Sequence, residues 1–182
     1  MHKSFGTYFI KFLSSFCVMY YGTIAMIGIT TPGGYYSSFA EKYINYVAWL
    51  RALLLFVSKW VLYVFGFDTY LKDVYTLKLH NGSGVHIGYD CIGYGVLFFW
   101  MAFIFANKVR LVKKVRWLLT GGFLIFFVNI IRISLMLVAV NRKWQALFNL
   151  DSHTLFNIAA YMIIFILIYF FDRSVKKENI NL

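Results

Sequence analysis

A thiol, an imidazole and a guanidinium could together carry out acyl transfer, and the chain holds one of each at Cys91, His153 and Arg132. A thiol becomes a strong nucleophile as its thiolate, which a nearby imidazole or fixed cation favours. An imidazole can take the thiol proton, or later deprotonate an incoming acceptor. A guanidinium keeps its charge, so it suits a developing oxyanion or a substrate carbonyl. Asn129 stands at i−3 from Arg132 on the same helix face, where it could orient Arg132 or donate to a substrate. Each residue alone has a plainer use: a packing thiol, a helix-opening histidine, an arginine that snorkels or ties helices together. The constellation carries the reading.

Four or five apolar helices must position these groups. Of the 182 residues 61% are hydrophobic and 14% charged, where a soluble domain has about a quarter charged. Most of that apolar surface must face lipid. The net charge of +11 sits between long apolar runs rather than along an interleaved groove. That speaks against a nucleic-acid binder and for membrane topology and anionic head groups.

Along the chain, 8–30 is an N-terminal anchor, retained because the run is long and lacks a small-residue exit site. The 43–67 stretch is helical but contains Arg51 and Lys59, which are costly in mid-membrane. A helix lying in the interface, its cations reaching the head groups, suits them better, with a fifth span as the alternative. Residues 76–89 alternate polar and apolar around Asn81-Gly82-Ser83-Gly84, which predicts a β-hairpin. A short span over 91–106 begins at Cys91, where a helix amino terminus would favour a thiolate. Lys108, Arg110, Lys113, Lys114 and Arg116 follow, then a span over 117–140, a polar loop over 141–152 and a last span over 155–171. The tail, 172–182, is basic.

Cation-rich segments stay in the cytoplasm. That places the hairpin, Cys91 and the 141–152 loop with Asp151 outside. Arg132 is 15 residues past Trp117, about 22 Å up the helix and in the outer third of the membrane. His153 opens the last span at the same level. Three helices thus deliver the three groups to one depth.

No G-x-S-x-G and no P-loop occurs, which counts against those hydrolase and nucleotide chemistries. His80 and His86 precede Cys91 and raise a metal site, but no HExxH or close-spaced pair supports it. No metal and no cofactor is expected. Cys17 lies in an apolar run and reads as a packing residue.

Three short motifs resemble the exosortases and archaeosortases: Cys91-Ile92-Gly93 opening a span after an external hairpin, Asn129-Ile130-Ile131-Arg132-Ile133 in the next, and His153 at the last. They span roughly 40–171, with the small size of the short bacterial members. Ile92 is bulky where the family usually has a small or polar residue, and Tyr94 replaces a common aliphatic. The resemblance implies one all-α polytopic membrane domain over 1–182: about four transmembrane helices, an interfacial or fifth spanning helix and a small extracellular β-hairpin. It implies a cysteine transpeptidase or protease of the bacterial cytoplasmic membrane, with catalytic Cys91, Arg132 and His153, and Asn129 in support. Its partners would be membrane lipids, exported proteins with a C-terminal tripartite sorting signal, and an unknown acceptor nucleophile. An acyl-enzyme would form at the outer face. The alternative is a non-catalytic component of envelope polysaccharide export or a small transporter subunit. There Arg132 would hold a lipid phosphate or anionic sugar, and no activated thiol is needed.

Overall fold

A computed structural model of the chain describes residues 2–33, 35–142 and 152–180; Asp151 and most of its loop lie outside the described residues, as do the side chains of 2–4, 152, 153, 155, 156, 160 and 177–180. The elements are α1 (His2–Thr30), α2 (Ser38–Tyr43), α3 (Tyr46–Val64), β1 (Thr69–Leu71), β2 (Thr76–Leu79), β3 (Gly84–His86), a 3-10 turn at Tyr89–Cys91, α4 (Tyr94–Ala106), α5 (Leu111–Arg142) and α6 (Ser152–Ile180). Four stretches are long and apolar enough to cross a bilayer: Phe5–Thr30, Ser38–Val64, Leu111–Arg142 and Asn157–Lys176. This is a polytopic helical membrane protein with a small antiparallel sheet.

The short helix α4 sits at the centre, against α1, α5 and α6. Its Trp100 is fully buried with Ile104, Ile125, Leu167 and Phe171. A buried indole N–H needs an acceptor, and Trp100 Nε1–H donates to the Trp117 carbonyl at 3.1 Å. Gly121 makes room for the ring, since a Cβ there would overlap the indole of Trp100. Gly121→Ala should therefore cost about 1–3 kcal/mol through overpacking. Gly122→Ala, whose Cβ would meet only Leu97 at 3.7 Å, is its control. Thermal unfolding in detergent distinguishes the two, and equal melting temperatures would refute the steric account.

The second core joins the sheet to α3 and α5. Leu77, Val85 and Ile87 pack on Leu54, Leu55 and Leu62 of α3 and on Ile130, Ile133 and Leu137 of α5. The hairpin expected over 76–89 forms, with Thr76 opposite His86 and Leu77 opposite Val85. A further strand, β1, pairs Thr69 with Leu79 and Leu71 with Leu77. The hairpin histidines meet sheet neighbours: His80 faces Asp68 at 3.7 Å, and His86 Nδ1 lies 3.3 Å from Thr76 Oγ1.

Both ends of α3 lie at the sheet end of the bundle. Ser37, just before α2, donates its N–H to the Ile29 carbonyl near the end of α1 (2.8 Å). The Tyr46 hydroxyl meets Thr23 Oγ1 at 2.5 Å. Beyond the other end of α3, Phe67 lies under Arg142, at the end of α5 (5.9 Å). The ends of α1 and α5 both flank the sheet region, through Thr31 and Tyr89 (3.2 Å) and through Asn141 and Ser83. The two ends of α3 thus meet the ends of α1 and α5, yet by length and composition Ser38–Val64 qualifies as a span, the expected alternative to an interfacial helix, whereas the 13-residue α4, expected as a short span, falls below that length. The exposed face of α3 carries Trp49, Leu53, Phe56, Trp60 and Tyr63 at helical spacing, an aromatic stripe suited to the bilayer interface.

The expectation for Arg51 is corrected. It does not reach for head groups: it is 4% exposed, its guanidinium 3.8 Å from the centre of the Tyr75 ring and 5.3 Å from that of Tyr89. Its Nε and Nη1 have no hydrogen-bond partner among the described residues, so the ring faces partly offset the buried charge. Asp73 braces Tyr75 by accepting its N–H at 2.7 Å, a bond that holds the Asp73 carboxyl below the usual range.

Candidate active site

Cys91 ends the 3-10 turn, and α4 starts three residues later at Tyr94. This corrects the expectation that the thiol opens the helix. Gly93 separates the two, with φ at +77°, a left-handed conformation that glycine adopts without the Cβ penalty. The same glycine admits Asn129: a Cβ on Gly93 would sit 3.1 Å from Asn129 Nδ2. That amide donates to the Cys91 carbonyl at 3.2 Å and to the Ile92 carbonyl at 2.7 Å. Asn129 therefore orients the cysteine turn rather than Arg132. Cys91 is half-buried and free, as is Cys17.

A second asparagine ties the sheet to the same helix. Asn141 Oδ1 accepts the Ser83 N–H at 2.6 Å, and its Nδ2 donates to the Ser83 carbonyl at 3.2 Å. Helix α5 thus grips the chain on both sides of the segment leading into Cys91.

Arg132 lies one turn beyond Asn129 and is 8% exposed. Its Nε and Nη2 are buried without a hydrogen-bond partner among the described residues. It lines a cavity of 770 Å³ between α1, α4 and α6, with Asp90, Gly93 and Tyr94 from the cysteine segment and Tyr20, Asn157 and Tyr161 opposite. A smaller cavity of 280 Å³, between α4, α5 and α6, shares Gly93, Arg132 and Asn157. The larger walls are apolar, with Phe16 and Phe99 on one side and Ile164, Phe165 and Ile168 on the other.

The geometry thus joins Asn129 to the cysteine turn directly, and Arg132 to the residues flanking Cys91 through the cavity. His153 falls in the first turn of α6, its side chain outside the described residues. The main residue that sequence reasoning missed is Asn157, at i+4 from His153, a polar group in an apolar span that could have been noticed.

The family model for transmembrane exosortases matches residues 8–170. The chain belongs to the transmembrane exosortase family. No curated protein and no solved structure gives a significant match. Membership gives this exosortase a membrane transpeptidase role in general terms, and the two motifs bonded at Asn129 lie within the matched residues.

Proposed function

We propose that this exosortase is a cysteine transpeptidase acting on exported proteins that carry a C-terminal sorting signal. Its sheet end faces out of the bacterial cytoplasmic membrane, because the cation-rich 108–116 segment and tail lie at the opposite end. The observation carrying the proposal is the buried guanidinium of Arg132, its Nε and Nη2 without an acceptor among the described residues, in a cavity rimmed by Asp90, Gly93 and Tyr94 beside Cys91.

The Cys91 thiolate attacks the scissile carbonyl carbon, and the oxygen takes the negative charge beside Arg132. The C–N bond breaks as His153 gives a proton to the departing amine, leaving a thioester on Cys91. An acceptor nucleophile loses its proton to His153, attacks the thioester and frees the thiol. The hydrophobic tail of the sorting signal lies along the apolar walls of the 770 Å³ cavity, which limit water and favour transfer over hydrolysis.

Alkylation in intact cells tests this, using a membrane-impermeant thiol reagent in a Cys17→Ser background. Cys91 is expected to label fast at neutral pH and more slowly in Arg132→Ala and in His153→Ala, because each removes support for the thiolate. Slow labelling, unchanged by either substitution, would return the molecule to the non-catalytic reading.

A further inference from the structure

A third cavity, of 480 Å³, lies at the basic end between the start of α1 and the end of α4 with the residues that follow it. Lys11, Tyr8, Thr7 and Phe5 line one side, and Ala106, Asn107 and Lys108 the other. The cations around it are not equivalent. Lys113 Nζ donates to the Ser174 carbonyl (2.8 Å), Lys114 Nζ to the Phe105 carbonyl (2.8 Å), and Lys176 pairs with Asp172 (2.7 Å). Lys11 and Lys108 have no such partner among the described residues, and the lining contains no carboxylate.

We propose that this cavity binds the phosphate head group of an anionic phospholipid. Two ammonium groups in one cavity, with no carboxylate in its lining, fit a phosphodiester, and the neighbouring Asn107 amide is already committed to the Phe103 carbonyl (2.7 Å). A lipid suits the site better than free phosphate because its approaches are greasy: Phe5 is 71% exposed, Ile10 65% and Phe105 61%, leaving room for acyl chains beside the head group. Lys11 also lies within a membrane-length helix, where a cation is costly unless an anion meets it. Zwitterionic lipids are disfavoured because their own ammonium would face the lysines.

Native mass spectrometry of the purified full chain, titrated with phosphatidylglycerol and phosphatidylethanolamine, tests the site. The wild type should prefer the anionic lipid. A lysine near an anionic head group contributes about fivefold, so Lys11→Gln or Lys108→Gln should each lower the preference by about that factor and the pair by about 25-fold. The Lys11→Arg/Lys108→Arg pair should keep it and guards against a folding artefact. Arg116→Gln, which removes a cation outside the cavity, should change it by less than twofold. An unchanged preference in the glutamine variants, or an equal loss in Arg116→Gln, would mean a diffuse basic field and overturn the site. Displacement of phosphatidylglycerol by millimolar inorganic phosphate would make it a small-anion site and overturn the lipid assignment.

Discussion

Cys91→Ala should leave the protein folded and abolish processing of its cognate substrate. The turn that carries Cys91 is held by main-chain carbonyls, those of Cys91 and Ile92 bonded to Asn129, and alanine keeps both. The thiol is only half-buried, so its removal should cost about 1 kcal/mol or less. Activity behaves differently, because the covalent step has no substitute at that position. Cys91→Ser should be equally inactive: a hydroxyl of similar shape does not ionise near neutral pH. Substrate maturation followed in cells, with the variant's membrane level measured in parallel, reads both effects. Continued maturation at normal protein levels would move the nucleophile elsewhere and end the mechanism proposed above.

Arg132→Met should separate stability from function. Loss of an oxyanion donor lowers turnover by roughly 10²–10³. Stability should hold or rise, because replacing a buried, unpaired charge with a flexible apolar side chain removes a desolvation penalty. Arg132 meets that condition among the described residues, being 8% exposed with Nε and Nη2 unbonded there. Arg132→Lys keeps the charge but loses the planar fork, and should fall between wild type and Arg132→Met in rate. Single-turnover kinetics and melting temperature in the same detergent give the comparison. A lowered melting temperature with unchanged turnover would make Arg132 a structural tie between helices.

The helices, the hairpin and the order of the site residues were legible because long apolar runs, period-two alternation and breaks at glycine are local signals. Other features depend on contacts that a local pattern does not carry. The true start of α4 depends on the positive φ of Gly93, which hydropathy cannot show. Strand β1 has three residues, too few for alternation to register. Arg51 read as a cation seeking head groups because its two aromatic partners, Tyr75 and Tyr89, come far later in the chain. The Cys-x-Gly and Asn-x-x-Arg motifs were visible separately. The reason they belong together, an amide gripping two carbonyls beside a glycine, is visible only once folded.

The two asparagine clasps on α5 give part of that helix a fixed length. Asn129 grips the turn that carries Cys91 and Asn141 the hairpin tip, 12 residues and about 18 Å apart along one rigid rod. Adding one residue between them would lift one clasp by about 1.5 Å and swing it by about 100° relative to the other. The chain between the two gripped points runs through β3, whose pairing with β2 fixes its register. A one-residue insertion or deletion between Asn129 and Asn141 should therefore release either the hairpin tip or the turn that carries Cys91, a cost that a side-chain exchange on the outer face of this stretch does not carry.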